Sequence, residues 1–162
     1  MSIAVYAGTF DPITTGHLYV IRRAAALFDH VVVLVAINPE KHPLFSPDER
    51  VDMIRDVVRR LPSVRADSAT GLVVDYARDI GATALVRGVR TDEDTRHETQ
   101  LAQLNWSLAP DIATIFLPAP PPVAAMSSSL LKRLAGQGAD LSSYCSPEVA
   151  ARLLARIGVA QR

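Results

Sequence analysis

Cysteine is almost absent from this chain: Cys145 is the only one in 162 residues. A single cysteine excludes an intramolecular disulfide and argues against a cysteine-built metal site. No reactive signature surrounds Cys145, so it reads as inert. A reducing, cytoplasmic setting fits this usage. Net charge is absent as well. Lys and Arg total 17, and Asp and Glu total 17. Without excess charge there is no bulk attraction for nucleic acid or an anionic membrane. Any anionic ligand must be held by basic groups placed locally. Long apolar runs are missing. The longest, Val31 to Ile37, falls far short of the about 20 residues that span a bilayer. The first residues carry no basic stretch before an apolar one, so no secretory signal is expected there. There is no internal repeat and no tail of like charge.

Apolar residues make up 49% of the chain and charged residues 21%, an ordinary globular balance. The length suits one core, and no linker interrupts the pattern. A single domain over residues 1–162 is expected. Ile3 to Ala7 is a short apolar run rich in β-branched residues and predicts a strand. Leu18, Ile21, Ala25 and Phe28 recur at helical spacing and predict a helix over 15–28. Val31 to Ile37 is continuous and β-branched, as a strand buried on both faces requires. Strand, helix and strand at this spacing form a βαβ unit, so the two strands should be parallel.

Ser46-Pro47-Asp48-Glu49 opens the next helix. Ser46 can cap, Pro47 suits the first helical position, and Glu49 completes a capping box. Val51, Ile54, Val58 and Leu61 form its apolar stripe, and Arg50, Arg55, Asp56, Arg59 and Arg60 are expected to face water. A weak strand is read over 64–67 and a short helix over 72–80, stopped by Gly81. A strand over 83–87, a long helix over 91–108 and a strand over 112–117 follow. Four prolines within Pro118 to Pro122 predict an extended loop. Closing helices are read over 127–135 and 147–157. This alternation predicts an α/β fold, a Rossmann-like open parallel sheet with helices on both faces.

Ligands of open parallel sheets bind beyond the carboxyl ends of the strands. Three polar clusters fall at such ends. Gly8-Thr9-Phe10-Asp11-Pro12 leads into Thr14-Thr15-Gly16-His17 at a helix start. Arg87-Gly88-Val89-Arg90 lies between a strand and a helix. Ser127-Ser128-Ser129 opens a helix after the proline loop. Each suits phosphate. Gly8 and Gly16 allow backbone N–H groups close to an anion. Helix starts add free N–H groups and partial positive charge. Arg87 and Arg90 add charged forks, and Lys41 adds a point charge. No Walker-type glycine loop with Lys-Ser/Thr is present, and Gly8 lacks the spacing of the dinucleotide fingerprint. No carboxylate cluster suits a protein-held metal.

Thr14-Thr15-Gly16-His17 matches the T/H-x-G-H signature of the nucleotidyltransferase superfamily. The run Gly8 to His17, then Arg87 to Arg90, Gln100-Leu101-Ala102, and Ser127 to Lys132 occur in the order seen in bacterial phosphopantetheine adenylyltransferases. The chain resembles that family over about residues 3–157. The resemblance implies in-line transfer of AMP from ATP to 4'-phosphopantetheine, with dephospho-coenzyme A and pyrophosphate as products. It implies that His17 stabilises charge on the α-phosphate and that Thr9 lies between the reacting phosphates. Lys41 and Arg87 would hold the phosphopantetheine phosphate, with Val73 beside the pantetheine arm. Thr9, Phe10, His17, Gly88, Val89, Arg90, Glu98, Val123, Ala124, Ala125, Met126, Ser127, Ser128 and Ser129 would form the ATP site, with Arg90 and Lys41 sharing in catalysis. Mg²⁺ would enter with ATP. A homohexamer and feedback binding of coenzyme A are further implications.

Two segments depart from the family pattern. Asp94-Thr95-Arg96-His97-Glu98 stands where members carry Asp-Phe-Glu-Tyr-Glu, and Val123-Ala124-Ala125-Met126 where they carry Trp-Ser-Phe-Ile. Plainer readings exist for single residues: a cap for His17 or the serines, surface ion pairs for Arg87 and Arg90, a solvated face for 92–98. Two other functions stay open. One is transfer to another small phosphate, such as nicotinate mononucleotide or glycerol phosphate. The other is a nucleotide- or coenzyme A-binding regulator without catalysis.

Overall fold

A computed structural model of the chain describes residues 1–158. The expected domain extends to 159–162, which lie outside the described residues. Among the described residues, five strands form one parallel sheet: β1 (Ile3–Gly8), β2 (His30–Ile37), β3 (Val64–Thr70), β4 (Ala84–Val89) and β5 (Ala113–Pro118). Their spatial order is β3-β2-β1-β4-β5, and every neighbouring pair is parallel. Among the described residues, six α-helices connect and cover them: α1 (Thr15–Ala25), α2 (Pro47–Val58), α3 (Val73–Asp79), α4 (Asp92–Leu108), α5 (Ser128–Gly136) and α6 (Pro147–Ile157).

The alternation of strand side chains builds two cores. Ala4, Tyr6, Val31, Val33 and Val35 join one cluster with Val20 and Ile21 of α1, Ile54 of α2, Leu131 of α5 and Leu153 of α6. Val5, Ala7, Val32 and Leu34 join the opposite cluster with Val74 and Ala77 of α3 and with Ala109 and Ile112. Full burial of a Val, Leu or Ile side chain is worth about 1.5–3 kcal/mol, so β2 is a principal anchor of both layers.

The start of α2 follows the capping chemistry read from sequence, and other helix starts use the same device. Ser46 and Glu49 form a reciprocal box, with Pro47 in the first turn. Thr91, Ser127 and Ser146 each accept an N–H from the first turn of their helices. Thr14 and His17 form another box, in which the imidazole replaces the usual carboxylate.

Several expectations need correction. Helix α1 stops at Ala25, and its buried face keeps Ile21 from the set read from periodicity but adds Val20 and Ala24 in place of Leu18, Ala25 and Phe28. Gly88 and Val89 belong to β4 and not to the connection after it. Strand β3 runs on to Thr70 because it pairs with β2 along its whole length. Pro118 ends β5, and the proline stretch then turns into a short 3₁₀ segment at Val123–Ala125. Arg50 does not face water. It is 2% exposed, because its guanidinium reaches across to the Thr9 carbonyl at 2.8 Å and the Ser46 carbonyl at 3.3 Å.

Chain order reverses between β1 and β4, the two strands that lie side by side at the centre. Their carboxyl ends open a crevice there, because the connections leave toward opposite edges of the sheet.

Candidate active site

The crevice holds a cavity of about 310 Å³ lined from all three phosphate-suited clusters. The loop leaving β1 sets its floor. Phe10 adopts φ +50, an uncommon conformation for a bulky residue. That turn drives its ring inward to 2% exposure. The ring meets Tyr6 and His17 edge-on at 5.3 and 4.9 Å, the geometry aromatic quadrupoles favour. Glycine at position 8 serves this packing, since a Cβ there would lie 3.0 Å from the Phe10 ring.

His17 sits in the first turn of α1. The Thr14 N–H donates to its Nδ1 at 3.1 Å. With Nδ1 accepting, the neutral ring carries its proton on Nε2. Burial, aided by the positive charge of Arg90, lowers the His17 pKa to about 4. At neutral pH the residue is therefore an uncharged N–H donor lining the cavity. It is not a cation.

Gly16 and Gly88 also allow close packing at the cavity. A Cβ on Gly16 would lie 2.8 Å from the Met126 carbonyl oxygen, so the 123–127 segment crosses directly over the start of α1. A Cβ on Gly88 would lie 2.9 Å from Val20 Cγ2, so α1 presses onto β4 at that point.

The two arginines are paired in advance. Arg87 donates Nε–H and Nη2–H to the two Glu98 oxygens at 2.7 and 2.8 Å, and Nη1–H to the Ala7 carbonyl at 2.7 Å. Burial opposes its charge, but the hydrogen bonds and negative charge of Glu98 outweigh that and raise its pKa. Arg90 donates Nε–H to Asp94 at 2.9 Å. Burial also raises the Tyr6 pKa, against the pull of both arginines, and keeps its phenol neutral. At the start of α5, Ser127 Oγ accepts the Leu130 N–H at 3.1 Å and Ser128 Oγ donates to the Pro12 carbonyl at 2.8 Å. The α5 start is thereby fastened to the β1 loop.

A second cavity, about 280 Å³ and largely apolar, adjoins the first. Val73, Leu72, Leu101 and Leu104 line it, and it shares Ala7 and Arg87 with its neighbour. Arg87 thus stands in the wall between a polar cavity and an apolar groove.

Of the expected residues, Phe10, His17, Arg87, Gly88, Arg90, Glu98, Val123, Met126, Ser127, Ser128 and Ser129 meet at the polar cavity, and Val73 lines the groove. Thr9, Lys41, Val89, Ala124 and Ala125 line neither. Val89 is buried within β4, and Lys41 is exposed in the loop after β2. Sequence reasoning missed Tyr6, Asp94 and Ala119 in the cavity and Leu104 and Asn105 in the groove. Tyr6 could have been found by alternation: it shares the α1-facing side of β1 with Ala4, two residues before Gly8. Leu101 and Leu104 show the three-residue spacing of a helix face. Among the described residues no group of three or more His, Cys, Asp or Glu is arranged to hold a metal ion.

The cytidylyltransferase-like family model matches residues 5–134. A phosphopantetheine adenylyltransferase of Heliobacterium modesticaldum is 46% identical over 158 residues, covering 98% of this chain and 94% of the relative. One from Lactiplantibacillus plantarum is 47% identical over 161 residues, covering 99% of each. The chain belongs to the phosphopantetheine adenylyltransferase family. A solved structure from Vibrio parahaemolyticus, assigned as a nicotinate-nucleotide adenylyltransferase, superposes with a TM-score of 0.70 at 22% identity. It covers 98% of this chain and 94% of its own length, and it shows the shared nucleotidyltransferase fold. No helix among the described residues is long and apolar enough to cross a membrane.

Proposed function

We propose that this family member transfers the adenylyl group of ATP to the phosphate of 4'-phosphopantetheine, giving dephospho-coenzyme A and pyrophosphate. The observation that carries this reading is Arg87 in the wall shared by two unlike cavities. The nucleotide takes the polar cavity. The pantetheine arm takes the apolar groove, and its phosphate meets the α-phosphate at their junction.

A phosphate monoester is already anionic at neutral pH. It attacks the α-phosphorus in line, and pyrophosphate leaves opposite. No side chain becomes covalently modified. Catalysis consists of alignment and charge stabilisation. His17 offers Nε2–H to the α-phosphate oxygens as their charge rises. The α5 start and Arg90 receive the other phosphates, and Thr9 and Lys41 reach the reacting pair from the two neighbouring loops.

Mg²⁺ entering with ATP would supply charge shielding for the triphosphate. Asp94 and Glu98, the carboxylates nearest the cavity, are already engaged by Arg90 and Arg87, which supports a metal carried by the nucleotide rather than the protein. Helix α4 has no buried residue, and Trp106 stands 65% and Leu104 56% exposed on it. Such a surface supports assembly with further copies of the chain, read as a homohexamer. The setting is cytoplasmic, and coenzyme A, which shares the arm of the product, competes for both cavities.

Pyrophosphate release with ATP and Mg²⁺ tests the reaction. Release is expected with phosphopantetheine and not with nicotinate mononucleotide or glycerol phosphate, and CTP should not replace ATP. Release with another acceptor alone would overturn the substrate. Binding of ATP without release from any acceptor would indicate a regulator.

A further inference from the structure

Asp11 follows Thr9 and Phe10 in the loop that leaves β1, yet it lines neither cavity. Its side chain is 5% exposed. A carboxylate buried so deeply needs hydrogen-bond partners for both oxygens. It has them from two distant segments. The Leu44 N–H donates to Oδ2 and the Phe45 N–H to Oδ1, both at 2.9 Å. Lys132 of α5 donates from Nζ to Oδ2 at 3.1 Å. One side chain therefore joins the β1 loop, the stem of the loop bearing Lys41, and α5.

The position of that stem bears on chemistry because of what it carries. Residues 39–42 are exposed, and the turn holds itself together through Asn38, which accepts the Glu40 and Lys41 N–H groups at 2.9 and 3.1 Å. On its outer side Arg156 donates to the Leu44 carbonyl at 2.9 Å, but that tie comes from α6. Among the described residues, the side-chain hydrogen bonds joining this stem to the β1 loop are those of Asp11. The β1 loop is itself immobilised by Arg50 on the Thr9 carbonyl and by Ser128 on the Pro12 carbonyl, each at 2.8 Å.

We propose that Asp11 is a positioning residue for the transfer, acting through Lys41. It fixes the stem of the 38–45 loop against the β1 loop, so that Lys41 is delivered to the acceptor phosphate in register with His17. This rests on the reaction proposed above. It differs from a purely structural role in one respect. A structural carboxylate, once removed, would weaken both substrates together. A positioning residue acting through Lys41 affects the acceptor and leaves the nucleotide, because the polar cavity is built without the 38–45 loop.

Asp11→Asn keeps the shape and removes the charge together with one of the two good acceptors. Its kinetics are measured beside Lys41→Ala and the double variant. The acceptor KM is expected to rise about tenfold, with the ATP KM within about twofold of the parent. In the double variant the acceptor KM should match that of Lys41→Ala alone, since coupled residues are not additive. Multiplied effects, or equal losses for both substrates, would overturn the proposal. Asp11→Glu, one methylene longer with the charge retained, replaces the Asn variant if that does not fold, and the same pattern is required of it. Amide hydrogen exchange in the ligand-free protein gives a reading independent of the acceptor. The amides of Glu40, Lys41, His42, Leu44 and Phe45 should exchange at least about tenfold faster in the variant, with α1 and α5 unchanged. Unchanged exchange sinks the proposal whatever substrate the parent uses. A parent that uses a different acceptor overturns the reaction instead, and the kinetic cycle is then read with that acceptor.

Discussion

Glu98 grips Arg87 side-on, with both carboxylate oxygens within 2.8 Å of the guanidinium. The pair is part-buried, with side chains 12% and 29% exposed. Three of the five guanidinium N–H groups are occupied by Glu98 and Ala7. Those that remain lie on Nη1 and Nη2. An acceptor phosphate can therefore be bound by a fork already oriented, without displacing Glu98. This differs from a plain nucleotide-contact role for Glu98.

Glu98→Gln should raise the acceptor KM about tenfold, equivalent to about 1.4 kcal/mol. Arg87→Lys should do the same, because Lys cannot reproduce a planar two-point fork. Steady-state kinetics with each substrate varied in turn decide it. A rise confined to ATP would make Glu98 a direct nucleotide ligand.

His17→Ala should lower kcat by about 10²- to 10³-fold, the usual loss for one donor to a developing oxyanion. The ATP KM should change little. Because the ring is held neutral down to about pH 4, protonation of His17 should not shape the rate profile between pH 5 and 8. NMR titration of the imidazole should show the Nε2–H tautomer and a midpoint near 4.

The same shift makes stability depend on pH. His17 titrates near 4 when folded and at about 6.5 when unfolded. Between those values the unfolded chain binds more protons, so the His17 contribution to stability rises with pH across that window. It is complete above about 6.5 and is lost as pH falls toward 4. Thermal melts of the parent and His17→Asn should diverge in slope over this window. Parallel curves would show that the native imidazole is not held neutral.

Gly16→Ala and Gly88→Ala should differ in kind. The new methyl at 16 meets a backbone carbonyl oxygen at 2.8 Å, which only movement of the 123–127 segment relieves. About 1–3 kcal/mol of destabilisation is expected, with a raised ATP KM. The new methyl at 88 meets the Val20 side chain at 2.9 Å. Val20→Ala should restore Gly88→Ala and leave Gly16→Ala unrelieved. Melting temperatures of the two double variants measure this.

Trp106→Glu with Leu104→Glu should dissolve the assembly if α4 packs against another copy. Sedimentation velocity should then show a monomer where the parent sediments as a larger particle. Leu104 also lines the apolar groove, so the acceptor KM is expected to rise in the same variant. Trp106→Glu alone should affect assembly first.

Much of the frame was legible in sequence because local physics governs it. The β-branched run of β2, the Ser46-Pro47-Glu49 start of α2 and the stop at Gly81 each follow from a few adjacent residues. Helix α1 was read too long because Phe28 matches the apolar spacing, though it packs on the core from beyond the helix end. Arg50 was read as solvated because its neighbours in α2 are charged. The acceptor that buries it, the Thr9 carbonyl, lies 41 residues earlier in the chain.

By itself the sequence determined the order of strands and helices, the family, and the three clusters suited to phosphate. Those depend on residue type, short-range periodicity and caps. Tertiary structure alone decided that Arg87 would face Glu98, that Asp11 would hold the stem of the Lys41 loop, and that Gly16 and Gly88 would serve packing. It also left Lys41 outside both cavities. The physical reason is the same in each case: a buried charge or a missing Cβ takes its meaning from a partner far along the chain, and only the packed sheet brings the two together.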